Sequence, residues 1–349
     1  MSETTKSSRR DFKPVSFDRE EERNALAVIR PEIDGPTLSA ALAQDVEAAR
    51  RYAAAWKADA TRRAYESDWR IFLAWCDSRS IEPLPAAPAA VALFLAREAT
   101  LGIAPSTIGR RLAAIGYVHR TLGFDPPQNA AGSQAIRDVT AGIRRTHGAR
   151  KERKRALGAD MLAEMIAAIE GDEPRAVRDR ALLAVGMAGA FRRSELVAIQ
   201  LDQVVMVPEG MRILIGRSKT DQEGEGAEIA IPEGKRIRPK ELLVSWVQLA
   251  GFDTGPVFRK LTPQGRISPK PMSDRGVALV VKARAEAAGF DPDTVSAHSL
   301  RAGFLTEAAS MGASIFKMRD QSRHKSLDVL ADYVRAKELF DDHAGLKFL

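Results

Sequence analysis

A chain of 349 residues, 45% of them hydrophobic and 28% charged, is long enough for two folded domains, and it has no apolar run of membrane-spanning length. Its single cysteine, Cys76, excludes an intrachain disulfide and a cysteine-rich zinc site, and the polar residues 1–14 do not read as a secretory leader, so a reducing cytoplasm is expected. The net charge of +7 suits a polyanionic partner, because neutralised phosphates release counterions, but charge alone chooses neither a nucleic acid nor a chemistry.

Residues 1–44 mix charges with Pro31 and Pro36 and read as an arm. Thr61 reads as a helix N-cap, followed by Tyr65, Trp69, Phe72, Leu73 and Cys76 at helical spacing. That stripe is read as core; the alternative for Tyr65, Trp69 and Trp75 is a base-stacking platform. The prolines from Pro83 to Pro88 break the helix, and Val91, Leu93, Phe94 and Leu95 open a second. Pro105 sits like a first-turn proline before a third helix with Ile108, Leu112, Ile115 and Val118 inward. Arg110, Arg111 and Arg120 then lie elsewhere on it, available to phosphate. A fourth helix over Gln134–Arg145 completes an all-helical unit. Arg144, Arg145, Arg150, Lys151, Arg153, Lys154 and Arg155 make the most basic stretch, and residues 148–155 read as an interdomain linker.

From Ala156 the spacing predicts helices near 159–170 and 175–189. Short strands follow at 204–207, 211–215 and 228–231, the makings of a small antiparallel sheet. Helices return near 239–250, 273–289, 298–311 and 326–334, so the second half is mainly helical with a small sheet.

Four segments of that half carry reactive groups: Arg192 to Leu196 opening a helix; Arg217-Ser218-Lys219 leaving a strand; His298-Ser299-Leu300-Arg301; and His324 with Tyr333 nine residues later. Phosphodiester transfer without a metal needs fixed positive charge where a second negative charge develops. Arg192 and Arg301 suit a clamp on the two non-bridging oxygens, since a guanidinium fork binds two oxygens and stays charged. His298 and Arg301, three apart, can share a helical face. Lys219 at a hairpin tip could protonate a leaving oxygen, and a cationic site with a base such as His298 eases ionisation of a tyrosine whose ordinary pKa is about 10. Singly these residues mean little; in this order, behind a helical basic unit, they mean much more.

The ordered set resembles the tyrosine recombinase (phage integrase) family, and the Cre-like and Xer-like simple recombinases within it. The likeness spans roughly residues 45–349 and includes Thr61 to Trp69 at the start of the helical unit. It implies a mostly α protein: an all-helical, SAM-like core-binding domain over 45–147 and a mainly helical catalytic domain with a small antiparallel sheet over 156–349. It implies Arg192, Lys219, His298, Arg301 and His324 as catalytic groups, Tyr333 as nucleophile and Glu195 as support. Many Cre-like members carry tryptophan where this chain has His324; either can donate to phosphate. Arg62, Arg63, Arg110, Arg111, Arg144, Arg145, Arg150 and Lys151 are the expected DNA contacts.

The implied partner is double-stranded DNA with an inverted-repeat site, held in a C-shaped clamp. A homotetramer forms the synapse, with a partner recombinase or accessory protein as further candidates. Strands are exchanged through a 3′-phosphotyrosine and a Holliday junction, with no metal, cofactor or ATP. Residues 337–349 would dock on a neighbouring subunit. The competing readings are a type IB topoisomerase, a relative that binds DNA without cutting it, and an RNA-binding helical protein.

Overall fold

A computed structural model describes residues 59–148, 154–216 and 226–337, together with 44, 45, 48 and 52. The chain divides into two compact units, Met1–Lys151 and Glu152–Leu349. Arg150, Lys151, Lys219 and the tail after Lys337 lie outside the described residues, as does most of the N-terminal arm.

In the first unit the described elements are α1 (Asp59–Ser78), α2 (Pro88–Thr100), α3 (Pro105–Thr121) and α4 (Gln134–His147). Pro88 and Pro105 occupy first-turn positions, where a missing N–H costs nothing. Thr61 does not cap α1: the helix already runs through it from Asp59. Helix α1 packs on α3 and α2 on α4. Between them sit Trp69, Phe72, Trp75 and Phe94, the Phe72 and Phe94 rings crossing edge to face at 5.1 Å. Trp69 and Trp75 are therefore core, as read from their spacing. His119 is wholly buried; its Nε2 accepts from the Ala86 N–H at 2.9 Å, so Nδ1 carries the proton and donates to the Ile115 carbonyl. This pins the proline-rich connection onto α3 and leaves that histidine a structural one.

The second unit opens with α5 (Ala159–Ala167), α6 (Pro174–Ala188) and the short α7 (Arg193–Ala198). An antiparallel sheet follows, β1 (Val204–Val207), β2 (Gly210–Ile215) and β3 (Ala227–Pro232), in the order β1-β2-β3. Ile213 faces Ile229 and Met211 faces Ile231, so one face of the ribbon is apolar and buried. That face lies in one core with α6 and with α8 (Pro239–Ala250), whose fully buried Trp246 donates to the Val257 carbonyl at 2.8 Å. A second, two-stranded sheet, β4 (Arg259–Leu261) with β5 (Ile267–Pro271), was not anticipated from sequence. Helices α9 (Asp274–Ala287), α10 (Ala297–Ser310), α11 (Ile315–Ser322) and α12 (Asp328–Lys337) complete the described chain. Helix α11 too was missed. The fold is mostly helical with small antiparallel sheets.

Helix α10 is seated by one glycine. A Cβ on Gly303 would stand 1.8 Å from the Leu157 carbonyl oxygen, and Leu157 N–H donates to Ser299 O, so the start of this unit lies directly on the helix that carries Arg301.

Candidate active site

The site begins where α6 stops. Gly189 ends the helix under the Phe191 ring, 2.1 Å from where a Cβ would lie, and Ala190 takes a left-handed φ of 46°. This turn brings Arg192 into extended backbone as the N-cap of α7. Three residues on, the Glu195 carboxylate accepts from the Arg192 N–H at 2.9 Å and from its guanidinium at 2.5 Å. The second guanidinium nitrogen of Arg192 donates to the Arg323 carbonyl at 3.0 Å.

Arg301 is 1% exposed, on the buried side of α10. It donates through Nη1 to the Ala190 carbonyl at 2.7 Å, and its Nη2 lies 3.2 and 3.3 Å from the two ring nitrogens of His324. Burial, with the Arg192 guanidinium second, pushes the Arg301 pKa down to about 9, which leaves it charged at neutral pH. Similar causes act on His324: burial first, then Arg301 and Arg192, lower it to about 4, so the imidazole is neutral.

Its tautomer follows from Ser322, which is fully buried. The Ser322 hydroxyl donates to the Met318 carbonyl at 2.6 Å and must therefore accept from His324 Nδ1–H at 2.7 Å. Nε2 is then left with its lone pair, facing an Arg301 nitrogen that can only donate. His324, read from sequence as a donor, is an acceptor in this arrangement.

Tyr333 is half-buried on α12, packed beside Leu305, Met318 and Leu330, and α12 packs on both α10 and α11. It lies near enough to act on Arg301 once ionised, and His298 near enough to act on His324. His298 stands exposed one turn before the buried Arg301. The structure thus brings Arg192, Glu195, His298, Arg301, His324 and Tyr333 into one electrostatically coupled group.

One member of the group was not foreseen. Arg323 lies in the left-handed region at the end of α11, with its side chain 8% exposed. It donates to Glu195 at 2.7 Å, to the carbonyls of Gly189, Ala190 and Gln321, and lies over the Phe191 ring. Burial lowers its pKa, against the pull of Glu195. Burial alone would raise the Glu195 pKa, but Arg323 and Arg192 outweigh it and hold the carboxylate below its usual range. The only sequence signal was a basic residue directly before His324, and nothing in the sequence marks position 323 as left-handed.

The expected DNA contacts divide. Arg63, Arg144 and Arg145 are exposed and Arg62 is half-buried. Arg111 is not available as expected: its side chain is 11% exposed and ion-paired with the buried Asp68 and Glu98. Arg110 forks onto Asp68 at 2.7 and 3.1 Å, which occupies two of its donors, although half of its side chain remains open. Two carboxylates buried in a helical core demand counter-charges, and this demand is invisible in the helical period.

Residues 155–339 match the phage integrase family. The chain is 35% identical over 290 residues to an integrase/recombinase XerD homologue of Selenomonas ruminantium, covering 82% of this chain and 85% of the relative. It is 28% identical over 294 residues to a tyrosine recombinase of Synechococcus elongatus, covering 80% and 86%. Its fold is similar to the XerH recombinase bound to a palindromic difH substrate in a post-cleavage complex, at a TM-score of 0.59, 15% identity and coverage of 92% and 91%. It is likewise similar to the Tn1549 transposon integrase in complex with transposon right end DNA, at 0.55, 13% identity and coverage of 83% and 92%. With Arg192, the buried Arg301, two histidines and a tyrosine gathered at the meeting of α7, α10, α11 and α12, and with a family match over the unit that holds them, the chain belongs to the phage integrase family of tyrosine recombinases.

Proposed function

We propose that this chain acts on duplex DNA as a site-specific strand transferase, with Tyr333 as the nucleophile. The observation that supports the reading most is the convergence of Tyr333 with Arg192, His298, Arg301 and His324 around one region of dense positive charge. In this scheme the Tyr333 oxygen attacks a backbone phosphorus, its proton passing to His298, and the bond to the 5′ oxygen breaks. Lys219 protonates that oxygen, leaving a 3′-phosphotyrosine and a free 5′ hydroxyl. Arg192 and Arg301 neutralise the charge that develops on the non-bridging oxygens. A phosphate beside His324 favours its protonated form, which can donate to that phosphate. A 5′ hydroxyl from another strand reverses the step, so bond energy is conserved and no ATP is consumed.

The DNA-contact role stays with Arg62, Arg63, Arg144, Arg145 and the partly open Arg110, together with Arg150 and Lys151. A homotetramer on an inverted-repeat site, helped by an accessory or partner recombinase, and residence on the cytoplasmic nucleoid belong to the same proposal. So do a core-binding domain over 45–147, a linker at 148–155 and a catalytic domain over 156–349.

The test is recovery of covalent protein–DNA adducts, without added crosslinker, from cells expressing the wild type or Tyr333→Phe, followed by sequencing of the joined DNA. Adducts at one or a few positions, lost in the variant while DNA affinity is kept, are expected. Adducts scattered over all sequences would instead favour a topoisomerase. No adducts from a chain that still binds DNA would favour a non-cutting relative. For Lys219→Ala the expectation is slow cleavage that recovers on a substrate whose 5′ leaving group needs no proton; no recovery removes Lys219 from the general-acid role.

A further inference from the structure

We propose that Arg323 is a positioning residue for strand cleavage, setting the Arg192–Glu195 pair and the Ala190 carbonyl against which Arg301 is aimed. The inference rests on the strand-transfer reading above and adds a residue to it.

Residue 323 holds both arginines of the site, by different atoms. Its carbonyl accepts from Arg192 at 3.0 Å, and its guanidinium meets the Glu195 oxygen that also accepts the Arg192 backbone N–H. Through Nη2 it shares the Ala190 carbonyl with Arg301, at 3.2 and 2.7 Å. The next residue is His324, so any rotation at 323 turns the imidazole as well. A left-handed φ of 56° is disfavoured for a side chain with a Cβ, and a site that already holds the guanidiniums of Arg192 and Arg301 repels a further cation. Arginine is tolerated there because Glu195 and the carbonyls of Gly189, Ala190 and Gln321 accept from its two Nη groups. With both Nη groups engaged and Nε buried, this guanidinium is not placed to be the substrate's ligand, but it fixes the distance between the two arginines assigned that role above.

The experiment uses the full chain and a nicked duplex bearing the site recovered from wild-type adducts, and follows single-turnover adduct formation beside DNA affinity and thermal melting. Arg323→Gly relieves the backbone and keeps the carbonyl. It is expected to bind DNA within about twofold of wild type yet cut on the order of a hundredfold more slowly, the loss that small misplacements of reacting groups bring. Arg323→Lys keeps charge and reach without the fork, and is expected to cut at an intermediate rate. Combining Arg323→Gly with Glu195→Gln should cut no more slowly than the worse single variant, since both act on one assembly. Arg323→Gly cutting at the wild-type rate, or full addition of the two losses, overturns the inference and leaves the strand-transfer reading intact. If Arg323→Gly no longer folds, Arg323→Lys decides, and a wild-type rate from it overturns the proposal. A wild type that forms no adduct defeats the strand-transfer reading itself, and this inference with it.

Discussion

At the residue scale, His324 shows how a site can be cationic and still keep one of its bases neutral. Burial and the neighbouring arginines lower it from 6.5 to about 4. Between those values the unfolded chain binds a proton that the folded chain refuses, so stability rises with pH across the window and is lost as pH falls from 6.5 towards 4. Allowing for the partial exposure of the ring, this is worth about 2 kcal/mol. His324→Gln should therefore lose less stability than wild type between pH 7 and pH 4.5, measured by urea unfolding. His119, also lowered by burial, contributes alike to both proteins. Equal losses in the two proteins would mean that His324 is not held neutral. The residue types at positions 192, 298, 301, 324 and 333 were legible in the sequence, because their chemistry and order are distinctive. Arg323 was not, since its place depends on a backbone conformation and on hydrogen-bond partners 131 to 134 positions away in sequence.

At the scale of elements, α1, α2 and α3 are tied by charge as well as by their aromatic core. Asp68 of α1 and Glu98 of α2 are each 2% exposed, and Arg110 and Arg111 of α3 neutralise them. Arg111→Met would take from Glu98 and Asp68 a partner that they otherwise have beside Arg97 and Arg110. Since stripping one partner from a buried pair is costly, a loss of about 3 kcal/mol is expected in the melting of the first unit. Exposed Arg120→Ala should change stability by no more than about 0.5 kcal/mol. A small effect of Arg111→Met would return that residue to the list of DNA contacts. The elements that escaped the sequence reading have physical reasons. Helix α11 is one short stretch with Lys317, Arg319 and Asp320 in it and Phe316 57% exposed, so it has no apolar period; only Met318 and Ser322 are buried. Strand β5 holds Pro269 and Pro271, residues that argue against a strand, and the pair is closed by the Thr262–Arg266 turn.

At the scale of the whole molecule, the described residues form one aromatic core cluster in the first unit and three clusters in the second. Two heat-absorption transitions are expected in calorimetry, with Arg111→Met moving one and Gly303→Ala the other. The added methyl at 303 meets the Leu157 carbonyl, so a cost of about 1–3 kcal/mol is expected from the forced backbone shift. A single transition moved by both substitutions would mean that the units unfold together.

By itself the sequence determined the class of fold, most helix positions and the central sheet, and it singled out the candidate reactive side chains. Helical and strand periods, prolines and phosphate chemistry all act over short spans and leave local marks. Only the tertiary structure decided which cations are spent on buried carboxylates, which nitrogen of His324 carries its proton, and that residue 323 spans both arginines. These depend on pairs brought together from distant positions, where burial makes every unpartnered charge expensive and so forces the partnership.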